Sequence, residues 1–345
     1  MRELKKPDRL MPGDRVAAVS LSWGGAGDPE LRWRYELGKR RLEQLLGLQV
    51  LEMPHALDGS EALYHSPENR ASDLMQAFSD PSIKGIFTCI GGDDSLRLLP
   101  YLDLSVIAEN PKVFLGYSDS TITHLVCAKA GFTSFYGPSI LAEFAENIAV
   151  YPFTLDFVKR ALFEPSPIGS LPCSSQWTGD YLAWTEQNRT LSKTMLPNTS
   201  YQVLQGRGRA VGRLWGGCMD VLEMAKGTAI WPEPDELAGA VLFFETSEET
   251  PAVNTFTYWL RNYGACGILE QSAGILFGKP FQEQYQTEYH AAIRRVLAEF
   301  NLEQLPVFAN GSFGHNEPMV TLPYGARILL DCEKAEAQIL DSGVK

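Results

Sequence analysis

The sequence lacks three features that would assign the chain to a specialised class of protein. No apolar stretch in its 345 residues approaches the length of a membrane-spanning helix, which needs about 18 uninterrupted apolar residues. Basic residues are in the minority, and the formal net charge of −12 argues against nucleic acid or an anionic membrane as a partner. The six cysteines are scattered, with no C-x-x-C pair and no histidine at metal-ligand spacing. We therefore expect reduced thiols and no metal site.

The N-terminus also lacks the pattern of a secretory signal. Met1 to Lys6 is a charged segment, and Pro7, Asp8 and Pro12 follow it instead of an apolar stretch. Together with the scattered cysteines, this predicts a cytoplasmic protein.

Length and composition are those of a globular protein with more than one domain. Hydrophobic residues make up 45% of the chain and charged residues 21%, and single cores stop growing near about 250 to 300 residues. Residues 1–163 alternate apolar runs with helical patterns, as a parallel βαβ sheet does. Residues 164–212 form a polar tract, which we interpret as a connecting or substrate loop. Residues 213–345 form a second mixed α/β unit.

Periodicity predicts individual elements in both units. In the first unit, strands are expected over 15–20, 49–53 and 85–90 and before Ser118, with helices over 31–46, 68–78 and up to residue 129. In the second, strands are expected over 213–215, 240–244, 273–277, 307–309 and 326–331, with helices over 253–263 and 287–300.

The segment around Ser118 points to nucleophilic chemistry. An apolar run ends at Gly116, and Ser118 follows where a helix is predicted to begin. A strand that enters a helix through a tight turn exposes the turn's side chain beside the N–H groups of the helix. The α/β-hydrolase motif is G-x-S-x-G, and Ser120 replaces its last glycine here. Ser118 is a candidate nucleophile, and an ordinary turn in which Ser118 or Asp119 caps the helix is the alternative.

A serine nucleophile needs a general base, and the chain has five histidines. His315 lies in a glycine-rich loop directly after a predicted strand, where catalytic side chains are commonly displayed. His124 lies six residues beyond Ser118 on the predicted helix, on a different face, and cannot reach back. The remaining three are interpreted as solvated or capping residues: His55, His65 and His290. His315 is therefore the candidate base.

The candidate acid that would orient this base is Glu245. It ends the apolar run Val241 to Phe244, where a carboxylate is costly to bury without a partner. Glu248 and Glu249, which follow, are interpreted as solvated charges. The order Ser, Glu, His matches α/β-hydrolases, but the same geometry occurs on unrelated folds, so the order does not decide the fold.

Several short motifs together resemble the S66 family of serine peptidases, which contains bacterial LD-carboxypeptidases and the microcin C immunity peptidase. The resemblance runs through nearly the whole chain. Its carriers are Ile90-Gly91-Gly92, Gly116-Tyr117-Ser118-Asp119, Glu245, Phe277-Gly278-Lys279, Gly314-His315 and Leu322-Pro323-Tyr324-Gly325. The family's fold implies a flavodoxin- or Rossmann-like N-terminal domain with a parallel sheet and a C-terminal β-rich α/β domain.

The resemblance also implies roles for individual residues. Ser118 would be the nucleophile, activated by the Glu245–His315 pair. The oxyanion hole would fall on the backbone N–H groups of Asp119 and of the Gly91-Gly92 turn, where glycine lets the backbone approach the reacting carbonyl. Such an enzyme requires no metal and no organic cofactor, and the family suggests a homodimer.

The substrate is less well defined by these motifs. The long loop around Trp184 resembles the branch that hydrolyses the amide between an acidic aminoacyl group and a nucleotide analogue, and Trp184 is the candidate for stacking the base; the alternative is that it only anchors the loop. Asp220 departs from that branch, where an amide is expected, and an anion there would repel a phosphate. An LD-carboxypeptidase that trims murein peptides is the second hypothesis, with Lys279 as the candidate group for the free carboxylate. A non-catalytic nucleotide-binding module is a weaker third, since no phosphate-binding glycine motif is present.

Overall fold

Two β-sheets flanked by helices organise the chain, which the computed structural model describes from residue 1 to residue 345. The strands, in chain order, are β1 (Arg15–Val19), β2 (Gln49–Glu52), β3 (Ile83–Thr88), β4 (Val113–Gly116), β5 (Phe135–Tyr136), β6 (Gly169–Ser170), β7 (Gln176–Trp177), β8 (Leu196–Pro197), β9 (Gln202–Gln205), β10 (Arg209–Cys218), β11 (Ala240–Glu245), β12 (Gly274–Gly278), β13 (Val307–Gly311), β14 (Leu322–Pro323), β15 (Arg327–Asp331) and β16 (Glu336–Ile339). The α-helices are α1 (Arg32–Leu46), α2 (Ser60–His65), α3 (Pro67–Ser79), α4 (Leu104–Glu109), α5 (Thr121–Ala130), α6 (Pro152–Leu162), α7 (Met219–Ala225), α8 (Val253–Ala265), α9 (Ile268–Gln271) and α10 (Gln286–Glu299).

The first sheet has the order β14-β5-β4-β3-β1-β2, and its strands from β2 to β5 are all parallel. Every residue of β4 is buried, as expected for a strand that is covered by helices on both faces. The order 2-1-3-4-5 is that of flavodoxin-like doubly wound folds, in which ligands bind where the winding direction reverses, between β1 and β3. The predicted N-terminal α/β domain with a parallel sheet is confirmed.

The second sheet has eight strands in the order β6-β16-β15-β10-β11-β12-β13-β9. Its centre, β10 to β13, is parallel, whereas the remaining strands add on antiparallel. A two-stranded ribbon, β7 and β8, is separate. The second mixed unit expected from the sequence is therefore present, and its parallel strands direct their carboxyl ends, and Glu245 with them, toward the nucleophile.

Several local features differ from the sequence-based expectations. Helix α2 was not predicted, because its six residues are too few to show a helical period. Strand β10 runs over ten residues where only three were expected, since its first half is an alternating half-exposed strand rather than an apolar run. Strand β9 and the start of β10 also lie inside the polar tract 164–212. The domain boundaries at 163 and 213 stay predictions.

The two sheets share one hydrophobic core of 90 buried residues. The chain returns late to the first sheet, because β14 pairs antiparallel with β5 through Leu322 and Tyr136. Tyr324 then reaches the second sheet, where its hydroxyl donates to the backbone oxygen of Gly216. These contacts hold the carboxyl ends of both parallel strand sets around one cavity.

Candidate active site

Ser118 lies on a sharp turn between β4 and α5. Its φ of +57° is in the left-handed region, which costs a non-glycine residue about 1–3 kcal/mol and is found where tertiary structure enforces it. Gly116 permits the turn, because a Cβ there would lie 2.3 Å from Oγ1 of Thr88 and 2.7 Å from Oγ of Ser120. The half-buried hydroxyl of Ser118 therefore projects from the sheet edge as a strand-to-helix nucleophile does.

His315 and Glu245 lie next to Ser118 in a continuous chain of hydrogen bonds. Nε2 of His315 is 3.1 Å from Oγ of Ser118, and Nδ1 is 2.8 Å from Oε2 of Glu245. Glu245 is the last residue of β11 and is 3% exposed. Gly314 lets the histidine loop come this close, because a Cβ there would lie 2.6 Å from Oε2 of Glu245. The structure thus brings together the three side chains singled out in the sequence.

Tyr136, at the end of β5, is a fourth member of this group that the sequence analysis missed. Its hydroxyl donates to Oε1 of Glu245 and accepts the backbone N–H of Ser118 at 3.1 Å. The side chain is 1% exposed. Both oxygens of the Glu245 carboxylate are therefore paired, which offsets the cost of burying a charge at this position. The available signal was the aromatic pair Phe135-Tyr136 directly before Gly137, which ends at the same sheet edge as Gly116 and Ser118.

Glu248 contacts the histidine from the side of the cavity, although the sequence analysis treated it as a solvated charge. Its Oε2 lies 3.0 Å from Nε2 of His315, while the side chain is 57% exposed. Burial by itself lowers the pKa of His315, but Glu245, Glu248 and Asp220 outweigh it and raise that pKa to about 9. In the free protein, the imidazole is thus held in its protonated form by surrounding carboxylates.

The Gly91-Gly92 turn and Asp119 lie beside the nucleophile. The backbone N–H groups of Gly91 and Gly92 donate to no backbone oxygen of the chain, so both are free to bind a substrate oxygen. An ideal Cβ on Gly91 would lie 3.4 Å from the backbone nitrogen of Asp119. The Asp119 side chain points away from solvent and accepts the N–H of Ser95 at 2.8 Å, which fixes the turn.

A cavity of about 870 Å³ opens above Ser118 and His315. Trp184 lines it and stacks on Trp23, with ring centroids 6.3 Å apart. The guanidinium of Arg34 lies 4.5 Å from the Trp184 ring centroid. Trp184 therefore lines the cavity and also contacts the body of the protein through Trp23 and Arg34, and its stacking on a base stays a prediction.

The two charged candidates for substrate binding differ in their placement. Asp220 lines the cavity, and its carboxylate accepts the backbone N–H and the hydroxyl of Ser247. Lys279 does not line the cavity, which corrects the expectation that it meets a substrate carboxylate. Its ammonium is buried, pairs with Glu283 and lies 4.4 Å from the Trp177 ring centroid. The charge of Lys279 is therefore balanced by neighbouring groups outside the cavity.

Lys193 is the one lysine or arginine that lines the cavity, and it is fully engaged. Its Nζ lies 2.8 Å from Oε2 of Glu146 and 2.6 Å from Oε2 of Glu317. Burial raises the pKa of Glu317 to about 8 despite this lysine, and Glu146 and Glu143 add to the rise. This cluster ties the long loop to the body, and no local sequence pattern indicates it because its members are far apart in the chain.

The remaining histidines lie outside this group. His124 is buried against Ser134 and the backbone oxygen of Gly116, and burial lowers its pKa to about 3. His55 pairs with Asp73, and His65 pairs with Glu61 on the surface. No three His, Cys, Asp or Glu side chains are grouped as metal ligands, and the six cysteines are free thiols. No helix combines the length and apolar character needed to cross a bilayer.

A serine on a strained turn, hydrogen-bonded to a histidine whose other nitrogen meets a buried carboxylate, is the arrangement of a serine hydrolase. Comparison with known families refines this class. The family model described as the LD-carboxypeptidase N-terminal domain matches residues 16–137, and that of the C-terminal domain matches residues 211–330. The chain belongs to the S66 family of serine peptidases.

The relatives of this chain include a microcin immunity protein and a protein described as a murein peptide carboxypeptidase. The microcin C7 self-immunity protein MccF of Escherichia coli is 27% identical over 292 residues, 83% of this chain and 82% of that protein. A protein described as a probable murein peptide carboxypeptidase from Bacillus subtilis is 26% identical over 344 residues, 98% of this chain and 95% of that one. An MccF-like protein from Streptococcus pneumoniae, solved in complex with AMP, superposes with a TM-score of 0.87 at 31% identity, covering 95% of this chain and 98% of the other.

Proposed function

We propose that the protein hydrolyses an amide bond by covalent catalysis at Ser118, with His315 as general base and Glu245 as the group that orients it. The observation that carries this proposal is the pair of contacts made by His315, 3.1 Å to Ser118 and 2.8 Å to Glu245. Both lie within the reach required for proton transfer and for fixing the tautomer of the imidazole.

In the first half of the reaction, Oγ of Ser118 attacks the amide carbonyl while Nε2 of His315, in the deprotonated form of the imidazole that is populated as pH rises toward about 9, takes its proton. Negative charge develops on the carbonyl oxygen, where the N–H groups of Gly91, Gly92 and Asp119 are placed to bind it. Each such donor contributes about 3–4 kcal/mol to transition-state stabilisation in enzymes of this type. The imidazolium then gives its proton to the leaving nitrogen, and the acyl group stays on Ser118.

In the second half, a water molecule replaces the amine and attacks the acyl ester. His315 accepts a proton from that water and returns it to Oγ of Ser118 as the acid leaves. Glu245 orients the imidazole throughout, because its carboxylate accepts hydrogen bonds from the hydroxyl of Tyr136 and from Nδ1–H of His315. Glu248 must leave Nε2 for this sequence to run, since the leaving group needs the same position.

We infer that the substrate is an aminoacyl conjugate of a nucleoside rather than a murein peptide. The cavity volume of about 870 Å³ fits such a conjugate. The Trp23–Trp184 pair provides an aromatic surface for a base. The related protein that was solved with AMP supports the same assignment. A peptide with a free carboxylate would find no unpaired cation in the cavity, because Lys193 is engaged and Lys279 lies elsewhere.

Murein-peptide trimming is the second candidate function, and the B. subtilis relative, which matches 98% of this chain, supports it. Mass-spectrometric cleavage of two substrates separates the two: aspartyl sulfamoyl adenosine and a murein tetrapeptide ending in D-alanine, each with Ser118→Ala as control. Cleavage of the first alone supports the conjugate, and cleavage of the second alone makes the protein a murein peptidase. If neither substrate is cleaved in a Ser118-dependent way, the proposal that the protein hydrolyses these amides is wrong.

We also propose a cytoplasmic homodimer. Six free thiols fit a reducing compartment, and the dimer follows from the family resemblance alone. Light scattering after gel filtration measures the mass directly, and a value near the 38.3 kDa of one chain would contradict the dimer.

A further inference from the structure

Arg70, in the first turn of α3, has a buried guanidinium that no step of the proposed reaction uses. It joins the loops that follow β1 and β3, the two strands between which the winding direction of the first sheet reverses. Nη1 donates to the backbone oxygens of Leu21 and Ser22, at 3.1 Å each. Nη1 and Nη2 also reach the two carboxylate oxygens of Asp94, at 2.5 and 3.1 Å. A guanidinium that binds a carboxylate with two nitrogens holds its partners in one fixed geometry.

The loop after β3 needs such external support. It carries Gly91 and Gly92, whose backbone N–H groups donate to no backbone oxygen of the chain. Glycine adopts many backbone conformations, and the φ of Gly92 is +141°. Two consecutive glycines cannot by themselves hold their N–H groups in one direction. Contacts from outside the turn must therefore set the direction of these donors.

The loop after β1 provides part of this support. The backbone N–H of Trp23 donates to the backbone oxygen of Gly91 at 3.1 Å. The backbone N–H of Asp94 donates to Oγ of Ser22 at 3.2 Å, and that hydroxyl donates to Oδ1 of Asp94 at 3.3 Å. Because the buried guanidinium binds both loops, it fixes the position of one relative to the other.

The far end of the glycine turn is bound to the nucleophile turn. The backbone N–H of Ser95 donates to Oδ2 of Asp119 at 2.8 Å, and its hydroxyl donates to the backbone oxygen of Asp119 at 2.9 Å. Ser95 directly follows Asp94, and Asp119 directly follows Ser118. One short segment is thus bound to the guanidinium at one residue and to the nucleophile turn at the next.

No other cation can replace Arg70 in this position. The side chain of Arg70 is 0% exposed and that of Asp94 is 16% exposed. Arg97 also pairs with Asp94, at 2.9 Å, but it is 40% exposed and approaches from the surface. An exposed pair of this kind is weak, whereas the loss of one partner from a buried pair leaves a charge without compensation.

From these contacts we propose that Arg70 is a positioning residue for the oxyanion hole. It acts through Asp94 and Ser22 to direct the N–H groups of Gly91 and Gly92 at the carbonyl oxygen of the substrate. This inference rests on the proposed function. Donors that are already in place stabilise the charge of the transition state without reorganisation, so their loss affects kcat more than the binding of the uncharged ground state.

Kinetics and calorimetry test the proposal with whichever compound the unmodified protein cleaves, aspartyl sulfamoyl adenosine or the murein tetrapeptide. Arg70→Met is expected to lower kcat by about 10- to 100-fold, measured where the pH profile has levelled off. In the Ser118→Ala background, the same substitution is expected to change the calorimetric Kd by less than about twofold. The pH at which kcat/KM rises is expected to stay the same, because the carboxylates around His315 remain in place.

Two milder variants provide the test if Arg70→Met does not fold. Asp94→Asn keeps the shape of the side chain but weakens the pair, and it is expected to lower kcat by about three- to tenfold. Arg70→Lys keeps the charge without the planar fork and is expected to lower kcat to a similar extent. Because Arg70 acts through Asp94, the double variant is expected to lose no more than the more damaging single one.

Lys112→Met is the matched control. Lys112 is also a buried cation that donates to two backbone oxygens, those of Ala77 and Asp80. It precedes β4, at the end of that strand opposite to the nucleophile. Urea unfolding is expected to show a loss of stability in Lys112→Met as in Arg70→Met, whereas kcat of the control is expected to stay within about twofold of the unmodified protein.

Three results each overturn the proposal: an equal fall of kcat in Arg70→Met and Lys112→Met, an unchanged kcat in both Arg70→Met and Asp94→Asn, or a Kd that rises as much as kcat falls. Additive losses in the double variant overturn the action through Asp94. All of these results leave amide hydrolysis by the unmodified protein intact. Failure of the proposed function is distinct, because it appears as the absence of Ser118-dependent cleavage in the unmodified protein, and it overturns both proposals.

Discussion

The hydroxyl of Tyr136, at the end of a strand of the first sheet, donates a hydrogen bond to Glu245, the last residue of a strand of the second sheet. The same hydroxyl accepts the backbone N–H of Ser118. One side chain thus couples the turn that displays the nucleophile to the carboxylate that orients the base. The relative position of Ser118 and His315 depends on this bond as well as on their own loops.

Removing the hydroxyl in Tyr136→Phe is expected to lower kcat/KM by about ten- to a hundredfold with little change in KM. A buried acceptor and a part-buried donor lose their partner, and the expected range corresponds to a loss of about 1.4–2.7 kcal/mol of transition-state stabilisation. Steady-state kinetics on any cleaved substrate measures the loss. Tyr201→Phe is the control, because Tyr201 is also buried but packs against Phe308, away from the site. Unchanged kinetics in Tyr136→Phe would contradict the coupling.

The pH profile is expected to follow His315. Because its pKa is raised to about 9, the imidazole is protonated below that pH and cannot act as a base. We therefore expect kcat/KM to rise with pH and to level off above about pH 9. The rise of kcat itself is expected at lower pH than the rise of kcat/KM, because bound substrate displaces Glu248 from Nε2 of His315.

Glu248→Gln is expected to move the kcat/KM limb to lower pH by about 0.5 to 1 pH unit, because one neighbouring anion is lost. Glu303→Gln, at an exposed site outside the cavity, serves as the control. The pairing of His315 with its neighbouring carboxylates also affects the stability of the fold. The folded pKa of His315 lies above its unfolded value of about 6.5, so the pairing stabilises the fold fully below about pH 6.5 and is lost as pH rises through about 9. A limb that does not move in Glu248→Gln would show that this carboxylate has no influence on the base.

Trp184→Ala is expected to weaken binding of an aminoacyl-nucleoside conjugate by about 1–3 kcal/mol, because the base loses its stacking partner. Hydrolysis of the matching aminoacyl amide without a base is expected to stay nearly unchanged. Trp184→Phe keeps an aromatic ring at this position of the cavity and is expected to recover part of the loss. Equal losses on both substrates would instead assign Trp184 to anchoring the loop.

Lys193→Met is expected to destabilise the protein by about 2–4 kcal/mol near pH 8, because Glu146 and Glu317 lose their shared cation in a buried setting. The loss is expected to be smaller near pH 6. Without the lysine the folded carboxylates have raised pKa values, so they take up protons as pH falls and the folded state is stabilised relative to the unfolded state. Urea unfolding at both pH values measures this. Lys334→Met, on an exposed turn, is the matched control, and equal unfolding free energies for the two variants would contradict the role of Lys193.

The sequence by itself determined the features that local chemistry controls. Apolar runs that ended at polar or glycine positions identified β1, β4, β11 and β12 and placed Ser118 and Glu245 at strand ends. The short list of histidines and the glycine-rich loop after β13 singled out His315. These inferences succeed because a parallel strand must be apolar on both faces and must end where its side chains meet solvent or a ligand.

Only the tertiary structure decided the contacts between residues that lie far apart in the chain. Tyr136 pairs with Glu245, 109 residues away, and Lys193 pairs with Glu317, 124 residues away. Lys279 was misplaced because its partners, Glu283 and the Trp177 ring, satisfy it outside the cavity. Glu248 looks like any solvated carboxylate until the fold sets it against His315. Charge and hydrogen-bond complementarity at the site depend on distances in space, and periodicity along the chain carries no information on those distances.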